Sequence, residues 1–141
     1  MSDVLAFPKA LDRKILRVRK KTPFRFDPVP SLLIEEWLPI LDLAQIRCLL
    51  YICRRTWGFR KEWDAIAIEQ FCSGIQDRDG KQVDSGTGFK RSHVKNTLAG
   101  LESLGLIEVQ HRKTRANLYR LTIKPVATMS DHQLSSASHQ Q

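Results

Sequence analysis

The chain has 141 residues, 42 % of them apolar, and 23 Lys and Arg against 15 Asp and Glu give it a net charge of +8. That length holds one domain plus tails, and the apolar content excludes wholesale disorder. The positive balance selects a polyanionic partner, and no apolar run approaches the roughly 20 residues that span a bilayer, so no membrane is expected among the partners.

Residues 1–21 read as a basic N-terminal arm. Lys9, Arg13, Lys14, Arg17, Arg19, Lys20 and Lys21 stand there against one acid, Asp12, and Leu11, Ile15 and Val18 share a helical face. Such an arm can lie along phosphates or remain a solvated terminus. The start, MSDVLAFPKALDRK, has an acid before a short apolar patch and no h-region of a signal peptide. Cys48, Cys53 and Cys72 form no CxxC pair and read as reduced, buried thiols, which fits a cytoplasmic protein.

From Thr22 to Ile123 the pattern is that of a folded domain, assigned to 22–124. Thr22–Pro30 carries three prolines and is extended, with Phe24 and Phe26 as anchors. Ser31 caps a short helix to Leu38, with Leu33 and Trp37 inward and Glu35 and Glu36 outward. Asp42 and Gln45 have capping-box spacing and open a longer helix whose buried stripe is read as Leu43, Ile46, Leu49, Leu50 and Cys53. Asp64–Ile68 predicts a very short strand, and Glu69–Ser73 a short helix with Phe71 and Cys72 inward, stopped by Gly74.

Residues 75–87 then form a loop of 13 residues, long against a usual 4–6 or so, with Val83 folding back on the core. The second long helix follows: Val94, Leu98, Leu101 and Leu104 recur at steps of four and three, and Gly105 stops it. Lys90, Arg91, Ser92, Lys95 and Asn96 face outward near its start. Leu106–Gln110 and Asn117–Ile123 have strand composition, joined by the basic turn His111–Arg115. Residues 125–141, rich in Ser, Gln and His, are expected to be a disordered tail.

The expected fold class is therefore α+β, mainly α. It is a winged helix-turn-helix with a small β-hairpin wing, a basic N-terminal arm and a disordered C-terminal tail. In that layout a helix enters the DNA major groove while the hairpin contacts the backbone or minor groove. Arg91, Lys95 and Asn96, with Ser92 assisting, are the candidate base readers, since Arg suits guanine and Asn suits adenine. Arg112, Lys113 and Arg115 are the candidate phosphate or minor-groove contacts, and Lys90 completes the DNA-binding set. The competing reading is an ordinary surface helix followed by a charged, solubilising turn.

Catalytic and cofactor motifs fail one by one. Gly86-Thr-Gly88-Phe-Lys90 lacks the Gly directly before Lys that a Walker loop needs, and no long strand precedes it for a dinucleotide site. Asp77-Arg78-Asp79-Gly80 lacks the terminal Glu of a calcium loop, where Gly86 stands instead. HExxH, G-x-S-x-G and deaminase signatures do not occur. Neither an enzyme, nor a cofactor, nor a metal site is expected.

The span Thr22–Ile123 resembles the N-terminal DNA-binding domain of the lambda-type phage replication protein O family. The resemblance rests on the lead-in to Pro30, on Leu49-Leu50-Tyr51-Ile52 running into Arg54-Arg55-Thr56-Trp57-Gly58-Phe59, on Asp64-Ala65-Ile66 before Phe71, and on Gly86-Thr-Gly88-Phe89 leading to Val94, Leu98, Leu101 and Gly105-Leu106-Ile107. The R-x-T-x-G-[FW] block is its most specific part. The resemblance implies double-stranded DNA as partner, repeated origin sequences as target, a homodimer, and contact with replication proteins. Departures are Lys90, a poor residue for the usual cap, and an end about 18 residues after the hairpin, where such initiators carry a helicase-loader region. The alternatives are a winged-helix transcriptional regulator, a protein-interaction adaptor of a replication complex, or a binder of structured RNA.

Overall fold

A computed structural model describes residues 26–138, with side chains to Ser135. The basic arm, residues 22–25 of the lead-in, and 139–141 lie outside the described residues. The elements in chain order are α1 (Leu33–Trp37, π-helical), α2 (Leu43–Arg55), β1 (Asp64–Ala65), α3 (Ile68–Ser73), β2 (Ile75–Gln76), β3 (Gln82–Asp84), α4 (Arg91–Leu104), β4 (Ile107–Gln110), β5 (Leu118–Leu121) and α5 (Asp131–Ser138). The class is α+β with two small antiparallel sheets, one of order β1-β5-β4 and one of β2-β3.

Helix α2 begins as its sequence dictates. The Asp42 carboxylate accepts the Gln45 amide N–H at 2.8 Å and the Gln45 side chain accepts the Asp42 N–H at 2.9 Å. Gln45 lies fully inside, and with it Cys48, Leu49 and Ile52, a set spaced three, four and seven residues from Gln45. The expected stripe is thereby corrected. Leu43 and Leu50 point outward, 60 % and 44 % exposed, because they sit nearly a half-turn from the centre of the buried row.

Arg55, at the end of α2, is buried and fully engaged. Its Nε meets Asp64 at 2.9 Å, Nη1 donates to Gln70 at 3.0 Å, and Nη2 donates to the Ala65 carbonyl at 3.1 Å. One guanidinium thus ties α2 to β1 and α3, its charge compensated by a carboxylate as burial requires. Tyr51, Phe71 and Tyr119 stack in series, with centroids 5.4 and 5.1 Å apart, and join α2, α3 and β5 in the core.

The short β1 pairs with β5, Asp64 opposite Tyr119 and Ala65 opposite Leu118, and β4 pairs with β5 from Ile107–Leu121 to Gln110–Leu118. The expected loop over 75–87 is corrected to a second hairpin. Asp77 builds its turn by accepting the N–H groups of Asp79 and Lys81, both at 2.9 Å. Val83 does not fold back on the core; it is 59 % exposed. The segment beyond β3 returns to α3 where Thr87 donates its N–H and its hydroxyl to the Phe71 carbonyl, both at 2.7 Å.

The expected disordered tail is also corrected. Met129 is buried, Val126 and Leu134 pack on the core, and α5 packs against α4. Ser130 and Gln133 form a reciprocal cap at its start, the N–H of each bonded to the other's side chain at 3.1–3.2 Å. The segment is pinned from the far end of the chain as well. Trp37 Nε1 donates to the Lys124 carbonyl at 2.7 Å, and the Val126 N–H donates to Glu36 at 2.9 Å. Glu36, expected to face outward, is half-buried for that reason.

Candidate nucleic-acid interface

Helix α4 has the two faces its spacing predicts. Val94, Leu98, Leu101 and Leu104 are buried, and Gly105 ends the helix at φ 76° in the left-handed region. Lys90, Arg91, Ser92, Lys95 and Asn96 are all exposed. Lys90 stands at the N-cap and supplies no side-chain cap.

The outward row is divided between two clefts, because Lys95 and Asn96 are a quarter-turn apart on the helix. Lys95 lines a cleft of about 180 Å³ whose opposite wall is the β4–β5 hairpin, through Val109, His111, Asn117 and Tyr119. Asn96 lines a wider one of about 440 Å³ with His93, Gly100 and Ser103, closed on the far side by Asp42. Ala99 borders both, so its small side chain lowers the crest between them. Helix α4 and the cationic hairpin therefore flank one concave surface, with Lys95 and the foot of the hairpin turn facing each other across it.

The hairpin cations differ in freedom. Arg112 is half-buried and folded back, its Nε donating to the Ala116 carbonyl at 2.7 Å with Nη2 on the same oxygen, while its N–H donates to Asn117 Oδ1 at 2.8 Å. It holds the turn in shape. Lys113 and Arg115 are exposed and project from a turn that contains no acid. His111 reaches back to Glu102 of α4 at 3.0 Å, a contact that fixes the hairpin against the helix.

Arg91 is partnered. Its Nη1 contacts the Glu69 carboxylate on α3, although 22 residues separate them. The Glu69 carboxyl is held below the usual carboxylate range by its own backbone N–H first, and by the cations Arg91 and Lys95. On the other flank the Arg47 guanidinium lies 4.8 Å from the Phe89 ring centroid and donates to the Thr87 carbonyl at 3.2 Å, while Phe89 meets His93 edge-on at 4.5 Å. These contacts brace the start of α4.

Sequence reasoning missed Glu69, His111 and Asn117 as members of this surface. The first is hidden by the hairpin inserted between α3 and α4. The other two carried a signal, since His111 opens the expected basic turn and Asn117 follows it. Among the described residues, no three His, Cys, Asp or Glu side chains are grouped to hold a metal ion, and no helix is long and apolar enough to cross a membrane. Comparison of the chain with protein families, with curated proteins and with solved structures gives no match.

Proposed function

We propose that this protein binds double-stranded DNA sequence-specifically, through α4 and the β4–β5 hairpin, as a winged helix-turn-helix. Apart from the β2–β3 hairpin inserted between α3 and α4, the element order from α2 onward supports that architecture: helix, strand, helix, helix and a two-stranded hairpin, with the first strand added to the hairpin's second. The observation that carries the reading is the shared cleft. Lys95 on the helix faces the hairpin across it, and the exposed Lys113 and Arg115 continue the positive surface beyond. In this reading Arg91, Lys95 and Asn96 read base edges, with Ser92 assisting. Lys113 and Arg115 hold phosphates or enter the minor groove, Arg112 shapes the turn, and Lys90 adds charge at the helix start.

The resemblance to the phage replication protein O family extends the proposal to replication initiation or its control, in the cytoplasm, as a homodimer working with other replication proteins. Retention of random duplex DNA in a gel at low salt tests the reading. With about six phosphates neutralised, log K against log salt falls with a slope near −5. Absence of a retained complex at low salt rejects it. A second reading, a protein-interaction adaptor, is favoured by the β2–β3 hairpin with its exposed Val83, and it expects no retained complex.

A further inference from the structure

Among the described residues, Arg91 is the exposed group of α4 that forms an ion pair with another helix, through the Glu69 carboxylate of α3. A carboxylate beside Arg91 and Lys95 opposes any phosphate that approaches them, so its position calls for a benefit elsewhere. The pairing also leaves a defined remainder. Nη1 of Arg91 is taken by Glu69. The edge formed by Nε and Nη2 is a planar fork of two parallel donors, the shape that matches guanine O6 and N7.

We infer that Glu69 is a positioning residue for base reading: it holds the Arg91 guanidinium so that its remaining edge meets a guanine in the major groove. This rests on the duplex-binding function proposed above. An unheld arginine at a helix start samples many rotamers, and any phosphate satisfies it; fixing it beforehand removes that freedom and lessens the loss on binding. The bracing of α3 against α4 makes the hold effective. Thr87 and Gly88 donate backbone N–H groups to Phe71 and Cys72 at 2.7 and 3.0 Å, so the helix bearing Glu69 is pinned to the lead-in of the helix bearing Arg91. The negative charge acts in the same direction, because it weakens binding to sequences that offer Arg91 only phosphate. Specificity is a ratio, and both effects raise it.

Selection from random duplexes tests this, with the wild type, Glu69→Gln, Arg91→Ala and the double variant run in parallel. Glu69 is solvent-facing, so each variant is expected to keep its fold, which a thermal melt verifies. The wild type should enrich guanine at one position of its site. Arg91→Ala should abolish that preference, worth roughly 5- to 150-fold for a bidentate contact. Glu69→Gln should reduce it, with tighter binding to unselected duplex, and should change nothing further at that position when Arg91 is already absent. Two results overturn the inference while leaving the DNA-binding reading intact: tighter binding of Glu69→Gln to all sequences with the guanine preference unchanged, or the same relaxation with Arg91 absent. A wild type that retains no duplex removes both, and is seen before any variant is made.

Discussion

The described residues carry two β-hairpins, and they make a controlled contrast. The β4–β5 hairpin has four paired positions per strand, alternating Tyr119 and Leu121 inward, and a turn bearing Lys113 and Arg115 with no acid. The β2–β3 hairpin has two paired positions with an irregularity between them, and a turn in which Arg78 and Lys81 are matched by Asp77 and Asp79. The first is built on the core and faces α4 across a cleft. The second stands outside the core and is held at its foot by hydrogen bonds: Asp84 accepts from the Tyr51 hydroxyl at 3.1 Å and from the Gly86 N–H at 3.0 Å. The geometry of a hairpin does not give it a polyanionic partner. The charge at the turn and what the turn faces distinguish the two.

The largest expected effect separates contact from backbone strain within β2–β3. Gly74 has φ 84°, and a Cβ there would lie 2.0 Å from the Asp84 carbonyl oxygen; Gly80, at φ 81°, has nothing within 4 Å. Gly74→Ala should lower stability by more than about 3 kcal/mol in urea unfolding, and Gly80→Ala by only about 1 kcal/mol, the ordinary cost of a left-handed alanine. Equal losses would mean that the foot of the hairpin yields freely.

A middle-sized effect compares the two turns directly. Replacing Lys113 and Arg115 by Ala should reduce the magnitude of the salt slope of duplex binding by about 2, as two phosphate contacts are lost. Replacing Arg78 and Lys81 should leave that slope unaltered. Identical changes would erase the distinction drawn between the hairpins.

The smallest effect concerns the thiols. Burial pushes the Cys48 and Cys53 thiols up to about 12 from 9.0, whereas Cys72 is half-buried beside the foot of β2–β3. At pH 8 an alkylating reagent should therefore modify Cys72 first, at a rate set by local opening, which mass spectrometry of timed samples reads. The sign for stability follows from the raised values. Cys48 and Cys53 contribute fully below pH 9, where the unfolded thiols are still protonated. That contribution is lost between pH 9 and 12, as only the unfolded chain ionises.

Much of the fold was legible. The α4 stripe, Gly105, the Asp42–Gln45 cap, the strand at Asp64 and the β4–β5 hairpin all follow from periodicity and local chemistry, which act over a few residues. The buried face of α2 was misread because two apolar rows compete on that helix and packing against the rest of the core selects between them. The C-terminal helix carried a legible signal in Ser130 and Gln133, obscured by a polar composition. Of the candidate surface, the exposed residues of α4 and the turn were read correctly as exposed. The folding-back of Arg112 onto Ala116 was not legible, since it depends on the path of the turn.

Local rules in the sequence determined where helices start and stop, which face of α4 is apolar, and that the β4–β5 turn is cationic. Only the tertiary structure decided which groups meet: Glu69 with Arg91, Lys95 with the hairpin wall, Glu36 and Trp37 with the C-terminal segment. The hydrogen-bonded pairs among them span 22 to 90 residues of chain. Their closeness comes from packing around one shared core, which no short stretch of sequence contains.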